Sequence, residues 1–264
     1  MNEENNKKRL NIISENKNHI SFSEIINWYY CSYRHKLMYI DKINLKKPSE
    51  FLDYGSIIHS SCGDYIKTRN MNKEIAIDKI KESWKKNNFP NLDEWVDSAN
   101  NTLTEFPKFL DKTFPNWEHF SVEELLKESI IKEDNGLNFK GYIDTVIKSN
   151  NKWWIIDYKT CSWGWDARKK SSFINKSQLM LYKIYWCCKH NIDFSDVNCG
   201  FVLLKRTGKE NHLCEFVKVY MGKRSQERVE KTIKNMVFSV KNKIFIKNRN
   251  SCKFCDYNET KYCV

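Results

Sequence analysis

No apolar run in these 264 residues approaches the roughly 20 that a membrane-crossing helix needs. The opening stretch, MNEENNKKRLNIISENKN, lacks the apolar centre of a secretory signal. Both absences lead us to expect an intracellular protein with no membrane partner. No internal repeat appears, and no low-complexity block beyond that polar opening. The G-x-x-x-x-G-K-[ST] loop of nucleotide-driven motors is absent too, so the chain carries no helicase engine of its own. Acidic residues are in short supply. Lys and Arg number 45 against 33 Asp and Glu, a formal net charge of +12, which suits a polyanionic partner. Cysteine is plentiful, with ten residues, and in a reducing compartment that favours metal ligation over disulfides. Hydrophobic residues make up 41%, enough for one large core with a helical elaboration.

Residues 1–18 read as a mobile polar tail. Ser21 or Ser23 caps a helix expected to run to about Ile40. A second helix spans about Leu52 to Lys67 and carries His59. Residues 72–113 form two helices broken at Phe89-Pro90, with Trp84, Trp95, Leu103 and Phe106 as packing positions. After Pro115 the pattern changes. Residues 119–132 fit a strand or a short helix. The runs GYIDTVIK and KWWIIDYKT, joined by a Ser149–Asn151 turn, form a hairpin over 138–160. WGWDARKKS is a loop, Phe173 to Lys189 is helical, and Asn198–Arg206 and His212–Met221 are strands. A last helix runs from about Lys223 to Phe245, with Val229, Ile233, Val237, Val240 and Ile244 at helical spacing. Nine basic and two acidic residues lie between Lys223 and Arg249. The order predicts an α/β or α+β class built on a mixed sheet.

The hairpin carries the chemistry. Asp157 and Lys159 are two apart, so on a strand they face the same way, and Asp144 lies on the partner run. Carboxylates and lysines on a hairpin are ordinarily a solvated face. Here Asp157 follows Trp153-Trp154-Ile155-Ile156, a run typical of a buried strand, and an unpaired buried carboxylate is costly. A divalent ion bound by Asp144 and Asp157, helped by the Tyr158 carbonyl, offsets that cost. Lys159 is then the group that orients water or stabilises the developing phosphorane charge. Gln178 and Tyr182 share one face of a helix at i and i+4. His59 alone is a weak signal, as is any lone histidine. Cys252, Cys255 and Cys263 are three of the four ligands of a closed site. Cys31 is the best fourth, clamping the two ends of the chain. Thiolate-only ligation fits zinc or an iron–sulfur cluster. The other six, Cys62, Cys161, Cys187, Cys188, Cys199 and Cys214, are expected to be buried thiols.

Together these pieces resemble the RecB-like branch of the PD-(D/E)XK nuclease superfamily, among its members with a four-cysteine iron–sulfur cluster. That branch includes AddB-type nuclease domains, a CRISPR adaptation exonuclease and phage exonucleases. The likeness covers about Ile20 to Cys263. ISFSEIINWYYCSYRHKLMYI looks like the opening helix with its first cluster cysteine, and YGSIIHSSCGDY like the motif supplying a metal-binding histidine, His59. GYIDTVI matches Gly-x-x-Asp, IIDYKT matches Asp-x-Lys, and QLMLY matches Gln-x-x-x-Tyr. Seven residues separate Cys255 from Cys263, more than the family pattern. The glutamate that often precedes Gly-x-x-Asp is Glu123 or Glu124.

The resemblance implies a restriction-endonuclease-like core: a central mixed sheet flanked by helices, an N-terminal helical elaboration, and a cysteine cluster joining the termini. It implies one domain over 19–264, mainly helical to 115, with the catalytic sheet over 116–222 and the basic helix and cysteines over 223–264. The implied activity is a Mg²⁺- or Mn²⁺-dependent deoxyribonuclease, an exonuclease on DNA ends or single strands in recombination, repair or phage DNA metabolism. It would work in a bacterial cytoplasm or infected host, with a possible helicase or recombination partner. Asp144, Asp157, Lys159, Gln178 and Tyr182 would be catalytic. His59, Asp144, Asp157 and the Tyr158 carbonyl would bind the divalent ion. Cys31, Cys252, Cys255 and Cys263 would hold a [4Fe-4S] cluster, with Zn²⁺ as the alternative. Trp163, Trp165, Arg168, Lys169 and Lys170 would guide DNA by stacking and charge, with ordinary packing the rival account of the aromatics. Competing readings are a non-catalytic DNA-binding scaffold, a zinc-stapled interaction protein, and a site-specific or CRISPR spacer-processing endonuclease.

Overall fold

A computed structural model describes residues 18–129 and 137–264. The expected tail, apart from Asn18, lies outside the described residues, as do 130–132. Along the chain come β1 (His19–Ser21), α1 (Phe22–Tyr30), α2 (Ser32–His35), a π-turn (Lys36–Ile40), α3 (Glu50–Thr68), α4 (Lys73–Asn87) and α5 (Leu92–Thr113). β2 (Glu118–Ser129), β3 (Asn138–Ser149), β4 (Lys152–Cys161), α6 (Ala167–Ser171) and α7 (Phe173–His190) follow. The chain closes with β5 (Val197–Lys205), β6 (Cys214–Val219) and α8 (Lys223–Lys241), then a 3₁₀ turn (Arg249–Phe254). Among the described residues six strands form one mixed sheet, in the order β1-β3-β4-β5-β6 with β2 also on β3. β1 with β3 and β4 with β5 run parallel, while β3 with β4 and β5 with β6 run antiparallel. The class is α/β with a helix-flanked mixed sheet, as expected.

Chain contacts divide the molecule into two compact units. One contains residues 48–125 and 142–220. Its core is α3, α4 and α5 laid on the face of β3–β5 that presents Ile147, Ile156, Tyr158, Val202 and Leu204. Trp84, Trp95, Leu103 and Phe106 are buried there. α7 covers the opposite face. The hairpin turn is shorter than expected: Ser149 pairs with Lys152, leaving two linking residues. Asn150 and Asn151 both have positive φ, 51° and 55°, the geometry of the two-residue turns that match strand twist.

The other unit contains residues up to 47, 126–141 and 221–264. The expected helix to Ile40 is interrupted. Ser21 caps α1, accepting the Glu24 N–H at 3.3 Å. Cys31 then turns extended (φ −162°, ψ 108°) and caps α2 with its sulfur. α8 ends at Lys241, earlier than expected, because Ser239 Oγ and the Ser239 carbonyl both turn to Ile244. Val229, Ile233, Val237 and Val240 are buried, whereas Ile244 is exposed.

Candidate active site

β3 and β4 pair regularly from Ser149–Lys152 to Thr145–Ile156. The next step in that register sets Asp144 opposite Asp157. There the Asp144 carboxylate takes over as acceptor: its Oδ2 receives the Tyr158 N–H at 2.7 Å. Asp157 is 1% exposed. Its Oδ1 accepts from Gln178 Nε2 at 2.7 Å, and Gln178 also reaches Tyr182 Oη at 3.2 Å. Lys159 Nζ lies 2.6 Å from Asp157 Oδ2. From α3, His59 Nδ1 comes within 3.6 Å of Asp144 Oδ2, and its ring sits edge-on to Tyr158. Helices on opposite faces of the sheet thus address the pair, α3 reaching Asp144 and α7 reaching Asp157.

The reach of His59 depends on its neighbours. Gly55, His59 and Gly63 fall at i, i+4 and i+8 along one stripe of α3. A Cβ at Gly55 would lie 3.1 Å from Thr160 Oγ1, and one at Gly63 only 2.7 Å from Val122 Cγ1. The two glycines let the helix lie against β4 and β2, with the imidazole between them.

Burial dominates the electrostatics. It raises Asp144 well above the usual carboxylate range, and the charge of Asp157 raises it further. Burial also raises Asp157, although Lys159 opposes the shift. His59 is lowered to about 4 by burial and by Lys159, so its ring is neutral at pH 7. Its buried Nε2 has no hydrogen-bond partner. A buried acid and a partly buried one that repel one another, with a neutral imidazole that has an unused nitrogen, are a donor set that fits a hard divalent cation. In one respect the arrangement differs from expectation. Among the described residues no three His, Cys, Asp or Glu side chains are gathered as a metal cage, because Gln178, Lys159 and the Tyr158 N–H engage the carboxylates.

The structure also separates the two glutamates. Glu124 turns to Ser121, Trp186, Lys189 and His190, and those bonds lower it to about 2 despite its burial. Glu123 has φ 52°, a left-handed residue that breaks the alternation of β2. Burial raises it, and the charge of Asp157 adds to the shift. Glu124 therefore belongs to a structural network, whereas Glu123 is exposed.

The family model for the PD-(D/E)XK nuclease superfamily matches residues 19–260. This chain belongs to that superfamily. Comparison with curated proteins yields no match. Among solved structures, a protein from Eubacterium rectale named "Putative exonuclease" aligns with TM-score 0.60 and 13% identity, over 93% of this chain and 90% of that one. At that identity it shows a shared fold. The protein SSO0001 aligns with TM-score 0.43 and 14% identity over 91% and 84% of the two chains, too low to carry an argument. PD-(D/E)XK nucleases generally use divalent metals, and their substrate is DNA.

Elsewhere in this PD-(D/E)XK chain, Cys31, Cys252, Cys255 and Cys263 line one cavity. Cys31 Sγ accepts two backbone N–H groups, from Arg34 and Asn248, each at 3.4 Å, and lies 3.7 Å from the Ile246 carbonyl. Among the described residues the sulfurs are not drawn into a metal cage. The two chain ends are tied without metal: Asn248 Nδ2 and Ser251 Oγ donate to the Tyr30 carbonyl at 2.7 and 2.9 Å. Of the six remaining thiols, Cys188 is exposed and Cys161 half-buried, contrary to expectation, while Cys62, Cys187, Cys199 and Cys214 are buried.

The loop after β4 also differs from expectation. Residues Ala167–Ser171 are helical, with Asp166 accepting the Lys169 N–H at 2.6 Å as their cap. Trp165 is buried against Phe201, ring centroids 5.0 Å apart, beneath the Lys169 ammonium. Its ring is therefore packing. Lys170 pairs with Glu215, and Arg168 and Lys169 are exposed. Among the described residues, no helix is long and apolar enough to cross a membrane.

Proposed function

We propose that this chain is a Mg²⁺- or Mn²⁺-dependent deoxyribonuclease of the RecB-like branch, an exonuclease acting on DNA ends or single strands. The observation that carries this is the meeting of Asp144, Asp157, Lys159 and His59 where the β3–β4 ladder opens. Asp144, Asp157, His59 and the Tyr158 carbonyl would hold the ion. A divalent ion bound there supplies an activated water and neutralises charge on the phosphodiester. Lys159 stabilises charge developing on the phosphoryl oxygens. Gln178 holds Asp157 in place, and Tyr182 holds Gln178. The intact acids and lysine argue against a non-catalytic scaffold. We further propose that residues 19–264 act as one nuclease domain in the cytoplasm, with a helicase or recombination protein as partner.

Asp157→Ala and Lys159→Ala are each expected to abolish cleavage of labelled linear DNA while DNA binding stays measurable. Full activity in either variant, or in excess chelator, overturns this site. A progressive ladder from a labelled end marks an exonuclease, while discrete internal products mark a site-specific or spacer-processing endonuclease.

For the cysteine site we propose a [4Fe-4S] cluster, as the family resemblance implies. Thiolate-only ligation fits a second reading equally, a single Zn²⁺. Freshly purified protein with broad visible absorbance and stoichiometric iron supports the cluster; colourless protein with one zinc per chain supports the ion.

A further inference from the structure

Trp163 exposes 81% of its surface, whereas Trp165, two residues on, exposes 8%. The loop that carries Trp163 is fastened on both sides. Before it, the Cys161 carbonyl accepts the Arg206 N–H and the Ser162 carbonyl accepts the Thr207 N–H, both at 2.8 Å. Thr207 Oγ1 donates to the same Ser162 carbonyl at 2.7 Å, and Arg206 Nη2 to Ser162 Oγ at 2.7 Å. After it, Gly164 takes φ 105°, Trp165 is sunk against Phe201, and Asp166 caps α6. The backbone is held, yet the largest apolar side chain on it is left four-fifths exposed. A tryptophan presented in this way has a use outside the fold.

Its surroundings indicate the class of partner. The exposed cations Arg168 and Lys169 follow within six residues. The guanidinium of Arg206 lies over the rings of Trp95 and Phe51, 4.3 and 5.0 Å from their centroids. Trp163 is four positions on from Lys159, a reach of at most about 14 Å, so the indole stands within a few nucleotides of the cutting site. Aromatic faces beside cations are how proteins hold unpaired nucleobases. Bases inside a duplex already cover one another's faces and leave none free.

We propose that Trp163 stacks on one unpaired nucleobase of the substrate strand, and so selects strands that are unpaired next to the cut. The inference rests on the nuclease reading above and assigns a specificity-determining residue to it. In chelator, where nothing is cut, Trp163→Ala should bind a short labelled oligothymidylate about tenfold more weakly than wild type. Trp163→Phe should retain most of the affinity. When a single abasic residue is moved along the strand, wild type should lose affinity at one position, and Trp163→Ala should be indifferent there. Equal binding by wild type and Trp163→Ala overturns the proposal, as does an alanine effect that persists at every abasic position. Mg²⁺-dependent hydrolysis of bis(p-nitrophenyl) phosphate, too small to reach the indole, should be the same in Trp163→Ala and wild type. A wild-type protein that shows the abasic pattern but cleaves nothing would fault the nuclease reading and support the stacking.

Discussion

Asp144 and Asp157 are expensive residues. Asp157 is buried and Asp144 partly so, each is raised above the usual carboxylate range, and the charge of Asp157 raises Asp144 further. In the metal-free protein the folded state therefore keeps protons that the unfolded chain has released. Their contribution to stability falls as pH rises beyond the ordinary carboxylate range. His59 acts in the opposite sense. Lowered from 6.5 to about 4, it contributes stability above pH 6.5 that is lost as pH falls toward 4. Asp144→Asn keeps an acceptor for the Tyr158 N–H and removes one of the two charges. In chelator at neutral pH it is expected to raise the thermal midpoint by about 2–4 °C while abolishing cleavage. The stabilisation should shrink as pH is lowered toward 4. Thermal melts across that range check the sign. Asp144, Asp157, Lys159 and Gln178 were legible in the sequence because strand and helix periodicities dictate which of them share a face. The left-handed backbone angle of Glu123 was not, since no periodicity encodes it.

At the scale of elements, α3 is set by its glycines. Gly63→Ala would drive a methyl group into Val122, whose Cγ1 stands 2.7 Å from the added carbon. The helix must then lift from β2 and take His59 with it, at a cost of about 1–3 kcal/mol. We expect Gly63→Ala to raise the metal concentration needed for half-maximal cleavage. Gly63→Ala with Val122→Ala should recover part of the loss, a coupling that a double-mutant cycle reads directly. Most elements followed from local pattern, including α3, the α4–α5 break and the hairpin. The first helix did not. Residues 22–40 all suit a helix, and the break at Cys31 comes from distant partners, the Asn248 N–H on its sulfur and the Ile246 carbonyl on the Tyr33 N–H. β1 is three residues long and gains its identity from pairing with Asn138–Lys140, more than a hundred positions away.

For the molecule as a whole, the net charge of +12 carries a direct expectation. DNA affinity should fall steeply and linearly with the logarithm of salt concentration, and a flat response in a binding titration would contradict a backbone-tracking surface. Metal removal is the second test at this scale. The hydrogen bonds between residues 30–33 and 246–251 hold the chain ends together on their own. Chelator strong enough to strip the cysteine site is thus expected to lower the thermal midpoint without unfolding the protein at room temperature, as circular dichroism would record. The mixed-sheet class was legible from element order. Strand order was not, because nothing local tells β4 to lie beside β5 in parallel.

The Asn150–Asn151 turn offers an experimental handle. Its geometry closes the hairpin without help from side chains elsewhere, and five cross-strand pairs lie between it and the carboxylates. Both asparagines face outward. A fluorophore attached to a side chain at either position would stand five residue pairs from the carboxylates and leave the ladder between them intact.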